Sequence, residues 1–247
     1  MHIVFLHGFL GTPQEFMPIA FRLPFKSEMI TLPSHGCSDA IVDFSNVNEW
    51  LEEELKSLKI KDYILYGYSL GGRIALHYAL SNNIKFKPKG VIIESANIGL
   101  NDTNLKKERL KNDKIWQQKF LSLPMNEVLT DWYNQEIFAD LSEEDKNYLI
   151  NKRAKNDPTR MANILMNLSL AKMPFLGEKL KESSIPMMYI YGLLDNKAQK
   201  ISQKIIGYKN PNIQVEAVDN VGHNCHLKDA STISSLINNF YQNLESK

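Results

Sequence analysis

A short apolar strand that runs through a glycine-flanked serine into a helix restricts the fold more than any other feature of the sequence. The strand is predicted over YILYG (63–67) and the helix over LGGRIALHYALS (70–81), with Ser69 between them in the pattern G-x-S-x-G. A serine in so tight a turn needs small neighbours, which Gly67 and Gly71 provide. The pattern is typical of a serine that acts as a nucleophile or in proton transfer at the carboxyl end of a strand.

Apolar, β-branched runs alternate with helical patterns along much of the chain. Further strands are predicted at 2–6, 28–32, 90–95, 187–192 and 213–218, and further helices at 47–58, 198–206 and 231–244. Alternation of this kind indicates an α/β fold with a mostly parallel sheet and helices on both faces. Catalytic groups are then expected at the carboxyl ends of the strands.

One long segment interrupts the alternation with polar, helical sequence and no convincing strand. Within it, Ser142 and Asp145 form a capping-box pattern, which predicts the start of a helix. The segment leaves and re-enters the sheet where a site is expected, so we interpret it as a lid. The predicted organisation is a core formed by 1–100 and 184–247, with a helical lid at 101–183.

Composition excludes several classes of function. The 247 residues carry a formal net charge of +1, which gives no sign of a nucleic-acid or membrane-surface partner. Two cysteines, Cys37 and Cys225, do not make a disulfide framework and indicate a reduced, cytoplasmic protein. The apolar N-terminus lacks a basic region and a cleavage site, so it is interpreted as a strand, and no apolar run is long enough to span a membrane.

A reactive serine needs a histidine as its base and a carboxylate that orients the histidine. His223 follows the last predicted strand and fits the chain order serine, acid, histidine, with His226 as its nearest rival. Asp195 lies just past the strand 187–192 and is the preferred acid. Glu94, at the end of another strand, is a competing candidate for that role.

The first strand ends in LHGFLG, a run of small, bendable residues. The backbone N–H groups of Phe9 and Leu70 are therefore predicted to converge as an oxyanion hole.

Only five of the 29 basic residues are arginines. An arginine in this chain is therefore more often than usual one whose planar guanidinium is needed for its hydrogen bonds. Arg73 lies four residues after Ser69, on the same face of the helix start, where a cation can meet a substrate anion.

The motifs LHGF, LPSHGCS, GYSLGG, GLLD and VGHN occur in the order of the α/β-hydrolase superfamily, which the chain resembles over most of its length. Ser34 stands where the second motif usually has glycine. A narrower resemblance, carried by GYSLGGRIAL, VIIESANIGL, ERLKNDKIWQQKFL, DWYNQEIFADL and GHNCH, is to the 2-succinyl-6-hydroxy-2,4-cyclohexadiene-1-carboxylate synthase (MenH) family of menaquinone biosynthesis.

This resemblance implies a carbon–oxygen lyase that eliminates pyruvate from 2-succinyl-5-enolpyruvyl-6-hydroxy-3-cyclohexene-1-carboxylate without a cofactor or metal. It implies a small-molecule substrate with several carboxylates, no nucleic-acid partner and no stable membrane association; the sequence carries no signal for an oligomeric state. The catalytic positions would be Ser69, Asp195 and His223. The substrate-binding positions would be Tyr68, Arg73, Arg109, Trp132, Tyr133 and Arg153.

Two other classes of function share these features. A serine hydrolase that acts on an ester, a thioester or a carbon–carbon bond would use the same triad, so triad geometry alone does not separate the two chemistries. A non-catalytic binding protein on the same fold is the third class, and an intact triad argues against it.

Overall fold

A six-stranded sheet lies at the centre of the computed structural model, which describes residues 1–246. The strands are β1 (His2–Leu6), β2 (Lys26–Ile30), β3 (Tyr63–Tyr68), β4 (Gly90–Glu94), β5 (Met187–Gly192) and β6 (Ile213–Val218). They lie in the order β2-β1-β3-β4-β5-β6, and every neighbouring pair is parallel. The predicted α/β class is confirmed, with a sheet that is parallel throughout.

Helices connect the strands and cover both faces of the sheet. They are α1 (Met17–Ala20), α2 (Val47–Ser57), α3 (Leu70–Ala79), α4 (Thr103–Ser122), α5 (Met125–Tyr133), α6 (Glu143–Arg153), α7 (Pro158–Asn167), α8 (Gly177–Glu182), α9 (Asn196–Gly207), α10 (Cys225–Lys228) and α11 (Ala230–Glu245). Short 3₁₀ helices span Pro13–Phe16 and Glu136–Phe138. No helix within residues 1–246 is both long and apolar enough to cross a membrane.

Each strand of the sheet centre is buried on both sides. In β1, Val4 and Leu6 belong to the core that contains α2 and α3, whereas Ile3 and Phe5 belong to the core that contains α1 and α11. Because helices cover both faces, these central strands are apolar on both sides and appear in the sequence as nearly continuous apolar runs, whereas the edge strands β2 and β6 keep polar residues.

The structure differs from the predictions at some element ends, such as helix α3, which ends at Ala79 and not at 81, and in short elements. β2 begins and ends two residues earlier than the predicted 28–32, because the N–H of the buried Leu32 donates to the side chain of His7 at 3.0 Å and not to a strand. The 3₁₀ helix at 13–16 and helix α1 were not predicted. Each has only four residues, too few to show a helical period.

Helices α4 to α7 lie between β4 and β5, in the segment 101–183 that we call the helical insertion. The predicted capping box is present at the start of α6: the Ser142 hydroxyl accepts from the Asp145 N–H at 3.1 Å, and the Asp145 carboxylate accepts from the Ser142 N–H at 3.2 Å. Helix α8 ends the insertion and packs Leu180 into the core of the sheet. The insertion therefore begins and ends at the sheet.

The turn between β3 and α3 brings separate stretches of backbone into close contact. Ser69 has a φ of 50°, in the left-handed region that residues other than glycine rarely adopt. A Cβ atom on Gly71 would lie 2.3 Å from the carbonyl oxygen of Leu6, and one on Gly67 would lie 2.5 Å from the carbonyl oxygen of Gly71. Glycine at both positions therefore allows α3 to begin directly against β1 and β3.

Replacing Gly71 with alanine should destabilise the protein, because the new Cβ atom meets backbone that cannot move aside. We expect Gly71→Ala to lower the free energy of unfolding by about 3 kcal/mol, measured by urea denaturation. Gly207→Ala at the end of α9 is the matched control, since a Cβ atom there meets nothing within 4 Å. The control should be neutral or stabilising by up to about 1 kcal/mol. Equal stability of the two variants would contradict the packing argument.

Candidate active site

Three side chains from distant parts of the chain meet at the carboxyl ends of the strands. Ser69 follows β3, Asp195 follows β5 and His223 follows β6. His223 Nε2 lies 3.1 Å from the Ser69 hydroxyl oxygen, and His223 Nδ1 lies 2.6 Å from Asp195 Oδ2. This is the geometry in which a serine, a base and an orienting acid act together.

Asp195 is fixed by the helix that it begins. Its Oδ1 atom accepts hydrogen bonds from the N–H groups of Lys197 and Ala198 at 3.0 and 2.9 Å, which leaves Oδ2 for His223. Burial by itself would raise the pKa of Asp195, but the hydrogen bond and charge of His223 outweigh it and the pKa is lowered. A carboxylate at Oδ2 makes His223 Nδ1 the donor, so Nε2 is free to accept the serine proton.

The two rival groups, His226 and Glu94, pair with each other. Glu94 Oε1 accepts from the backbone N–H of His226 at 3.0 Å and is 2.9 Å from its Nδ1 atom. Glu94 Oε2 accepts from the Tyr66 hydroxyl. With both oxygens of Glu94 occupied in this way, Asp195 is the carboxylate that reaches His223.

The two residues whose N–H groups are predicted to form an oxyanion hole, Phe9 and Leu70, line the same cavity as Ser69. Leu70 is the first residue of α3, so its N–H has no acceptor within the helix. Phe9 lies in the loop after β1 and lines the same cavity as Ser69 and Leu70. The predicted oxyanion hole is thus next to a helix N-terminus, which favours negative charge.

Two buried histidines hold the loop that carries Phe9. His7 Nε2 accepts from the Leu32 N–H and His35 Nε2 accepts from the Leu10 N–H, each at 3.0 Å. In both rings Nδ1 donates to a nearby backbone carbonyl, at 2.8 and 2.9 Å. Burial lowers the pKa of His7 to about 4 and that of His35 to about 3. Both rings are therefore neutral at pH 7 and serve as acceptors for the backbone.

A cavity of about 240 Å³ opens above the serine, between the sheet and the helical insertion. Most of the predicted site residues line it: Phe9, Tyr68, Ser69, Leu70, Arg73, Arg109, Trp132, Arg153, Asp195 and His223. Tyr133 does not line the cavity. It is completely buried, and its hydroxyl accepts a hydrogen bond from Arg153, so it contacts a cavity residue and not the cavity itself.

The three predicted arginines have different partners. Arg73 donates to the carbonyl oxygen of Leu168 at 2.7 Å. Burial, followed by the charge of Arg109, lowers the pKa of Arg73 to about 9, so it is a cation at pH 7. Arg109 Nε donates to Asp113 Oδ1 at 2.8 Å, and one-third of its side chain (33%) is exposed. Arg153, by contrast, is almost completely buried.

Aromatic rings surround the triad. The centroid of the Tyr68 ring is 5.3 Å from that of His223, and its hydroxyl donates to Asn224 Oδ1 at 2.5 Å. Trp132 of the insertion packs against Phe9, with centroids 5.1 Å apart. The insertion therefore contacts the predicted oxyanion loop directly, through this pair of rings.

Sequence reasoning missed several residues of the site. His7 stands in the LHGF motif, but the sequence alone assigns it no role. Polar side chains of Asn97, Asn112, Gln135 and Lys197 also line the cavity. These four lie on separate elements and share no spacing, so a single sequence gives no signal that brings them together. In residues 1–246, no group of three or more His, Cys, Asp and Glu side chains is arranged to hold a metal ion.

Comparison with known proteins extends the likeness over the whole chain. A model of the alpha/beta hydrolase family matches residues 3–233. The 2-succinyl-6-hydroxy-2,4-cyclohexadiene-1-carboxylate synthase of Yersinia enterocolitica is 35% identical over 241 residues, which cover 96% of this chain and 85% of the relative. The enzyme of the same name from Serratia proteamaculans is 34% identical and covers 98% of this chain and 93% of the relative.

Solved structures resemble this chain over almost its whole length. MenH from S. aureus superposes with a TM-score of 0.91 at 26% identity, over 99% of this chain and 94% of that chain. A thermophilic esterase from Thermogutta terrifontis superposes with a TM-score of 0.80 at 15% identity, over 99% and 90% of the two chains. The second likeness shows the shared fold alone.

The neutral histidines predict a loss of stability in acid. An unfolded histidine takes up a proton below pH 6.5, whereas His7 and His35 stay neutral in the folded state until about pH 4 or below. The stability that these two neutral rings contribute to the folded state is therefore fully present above pH 6.5 and is lost as the pH falls. Between pH 7 and pH 5 the free energy of unfolding should fall by about 2 kcal/mol for each of the two histidines.

His35→Gln removes one titrating ring and keeps an amide oxygen that can accept the Leu10 N–H. We expect the difference in unfolding free energy between pH 7 and pH 5 to shrink by about 2 kcal/mol relative to the wild type, measured by urea denaturation at both values. An unchanged difference would show that His35 is not held neutral.

Proposed function

The chain belongs to the alpha/beta hydrolase family, and we propose that within this family it is a 2-succinyl-6-hydroxy-2,4-cyclohexadiene-1-carboxylate synthase. It eliminates pyruvate from 2-succinyl-5-enolpyruvyl-6-hydroxy-3-cyclohexene-1-carboxylate, a step of menaquinone biosynthesis. Relatives of this name match nearly the full chain. The proposal includes a cytoplasmic location, in keeping with the free thiols of Cys37 and Cys225.

The observation that carries the proposal is the set of three arginines around one serine. Arg73, Arg109 and Arg153 line the cavity that also holds Ser69 and His223. The substrate has three carboxylates, on the ring, the succinyl group and the enolpyruvyl group. Guanidinium groups bind carboxylates through two parallel hydrogen bonds, which fixes orientation as well as charge. An apolar ester offers no partner for such a lining.

The first chemical step is the removal of a proton from carbon. His223, oriented by Asp195, accepts the proton of the Ser69 hydroxyl and makes the serine oxygen a strong base. The serine oxygen removes the ring proton α to the succinyl carbonyl, and the electron pair of that C–H bond moves toward the carbonyl oxygen. The N–H groups of Phe9 and Leu70 stabilise the enolate oxygen that forms.

The second step breaks the bond between the ring carbon and the enolpyruvyl oxygen. The enolate electrons return through the ring to form the second double bond, and the leaving group departs as the enolate of pyruvate. That enolate takes up the proton held by His223, which restores the neutral base. Bonds and protons balance without an acyl-enzyme.

The helical insertion acts as a lid in this proposal. The insertion supplies Arg109, Trp132 and Arg153 to the cavity. The α/β core supplies the triad, from the loops after the strands, and Arg73, from helix α3. Substrate charge is thus bound partly by the insertion and partly by the core. Enclosure also excludes water, which protects the enolate from premature protonation.

A direct assay separates elimination from ester hydrolysis. We expect the purified protein to release pyruvate rapidly from the enolpyruvyl substrate, followed with a lactate dehydrogenase coupling, and to turn over nitrophenyl esters and acyl thioesters negligibly. Ser69→Ala should lower kcat for pyruvate release by about 10²- to 10⁴-fold, because the base is lost. Rapid ester turnover without pyruvate release would reject the proposal in favour of a serine hydrolase.

Arg73 should matter through its shape as well as its charge. We expect Arg73→Ala to lower kcat/KM by about 10- to 100-fold, because a charge-assisted contact to substrate is lost. Arg73→Lys should recover only part of this, since an ammonium cannot form the two-pronged contact. Arg22→Ala is the control: this arginine is exposed and donates to the Pro18 carbonyl, outside the cavity lining. Full activity of Arg73→Ala would remove Arg73 from the site.

A further inference from the structure

Four buried ionisable side chains form a row behind the cavity. Glu94, His226, Glu15 and Arg153 are all between 0% and 3% exposed. His226 Nδ1 lies 2.9 Å from Glu94, His226 Nε2 lies 3.9 Å from Glu15 Oε2, and Glu15 Oε1 accepts from Arg153 Nη2 at 2.9 Å. We call these four residues the charge row. It joins the end of β4, α10, the 3₁₀ helix at 13–16 and the end of α6.

The charges in the row alternate in sign. Burial by itself would lower the pKa of His226, but Glu94 and Glu15 raise it to about 9, so the ring is an imidazolium at pH 7. Burial would likewise raise the pKa of Glu15, but Arg153 and His226 hold it well below its ordinary value. Two anions and two cations therefore cancel. That cancellation allows Arg153 to be buried and still keep its charge.

The row ends at a guanidinium that lines the cavity. Arg153 Nη1 donates to the Tyr133 hydroxyl and Nη2 donates to Glu15, so two anchors fix the plane of the group. Its Nε atom is buried and has no hydrogen-bond partner within residues 1–246. Arginine has five N–H donors, so others remain for a ligand carboxylate.

We propose that Glu15 is the positioning residue for Arg153, and that His226, held by Glu94, keeps Glu15 in place. The proposal rests on the proposed function, in which Arg153 binds one carboxylate of the substrate. Glu15 is in the 3₁₀ helix that follows the predicted oxyanion loop, so the row links that part of the core to an arginine of the insertion. The row acts on the reaction through the orientation of one guanidinium.

This role predicts an effect on substrate binding and little effect on proton transfer. Removal of Glu15 frees the guanidinium to turn away, and a charge-assisted contact to the substrate is lost. We expect Glu15→Ala to raise KM by about tenfold or more and to change kcat by less than about threefold. Glu15→Gln keeps an oxygen that accepts from Nη2 and should recover most of the loss. Glu52→Ala, a glutamate near Lys85 outside the cavity lining, is the control.

His226→Gln tests the same row if Glu15→Ala does not fold. It removes the cation that keeps Glu15 in place, so Glu15 and the Arg153 guanidinium that it holds lose their fixed position. We expect KM at pH 7.5 to rise by about tenfold, with kcat again within about threefold. His77→Gln is its control, because His77 lies on α3 and contacts Asn48 outside the cavity.

A pH profile supplies a readout that a merely structural role would not move. In the wild type, KM should rise as the pH passes about 9, where His226 loses its proton. Among the groups that face His226, His7 is already neutral, and burial holds the pKa of Tyr68 well above its ordinary value. Glu94, Glu15 and Arg153 face His226 as well, and the Tyr66 hydroxyl donates to Glu94. The low pKa of Glu15, the raised pKa of Arg153 and the pKa of Tyr66, which burial raises well above its ordinary value, place no proton change of these three groups near pH 9.

In His226→Gln the alkaline rise of KM should be absent. A rise that persists in this variant would come from Arg73, whose pKa is also about 9, and would overturn the pH assignment to His226. Unchanged KM in both Glu15→Ala and His226→Gln would overturn the positioning role. A large loss of kcat at constant KM would do so too, since it would place the row in proton transfer.

Failure of the proposed function can be told apart from failure of this inference. Pyruvate release by the wild type is measured first and tests the proposed function alone. Binding of citrate, a tricarboxylate with no leaving group, is then titrated by the fluorescence of Trp116 and Trp132, which line the cavity. Weaker citrate binding in Glu15→Ala and His226→Gln than in their controls supports the row whatever the turnover. Equal binding overturns it.

Discussion

The contact between the start of α3 and the end of β1 is the constraint on which the rest of the site depends. Only the missing side chains of Gly67 and Gly71 let the helix begin against the backbone of Leu6 and His7, with the Gly71 N–H donating to the His7 carbonyl at 3.0 Å. That approach forces Ser69 into the left-handed region and sets the first N–H groups of the helix beside its hydroxyl. The loop that carries Phe9 follows β1 directly, so the same contact between α3 and β1 places Ser69 beside the loop of the predicted oxyanion hole.

Histidine serves three electrostatic purposes within this small region. His7 and His35 are neutral because burial outweighs the nearby charge of Glu15, which by itself would raise the pKa of each ring, and a neutral ring can accept a backbone N–H. His226 is buried as deeply, but two glutamates make it a cation that links anions. His223 has one carboxylate at Nδ1 and a hydroxyl at Nε2, the arrangement of a base that must gain and lose a proton. The neighbours, and not the depth of burial, decide each role.

The sequence predicted what is encoded locally and missed what the tertiary structure creates. The strand and helix periods were enough to predict a mostly parallel sheet. The glycine turn and the chain order of serine, acid and base were enough to predict that Ser69, Asp195 and His223 meet. Glu15 contacts Arg153, 138 residues further along the chain, and lies close to His226, which is more distant still. No sequence pattern predicts contacts between residues so far apart. Tyr133 shows the same limit: the motif that contains it pointed to the cavity, but its neighbours bury it behind Arg153.

In the proposed function, the three arginines of the cavity bind different parts of a substrate with several negative charges. Arg109 and Arg153 already have carboxylate partners, Asp113 and Glu15, so their charge is balanced before any substrate arrives and they contribute mainly fixed donors. Arg73 has a carbonyl oxygen as its partner and lies one helical turn from Ser69. It therefore has no carboxylate as a hydrogen-bond partner, unlike the other two. In the proposed mechanism, a cation one turn from Ser69 also stabilises the negative charge of the enolate as it develops, so we expect Arg73 to contribute to kcat as well as to substrate binding.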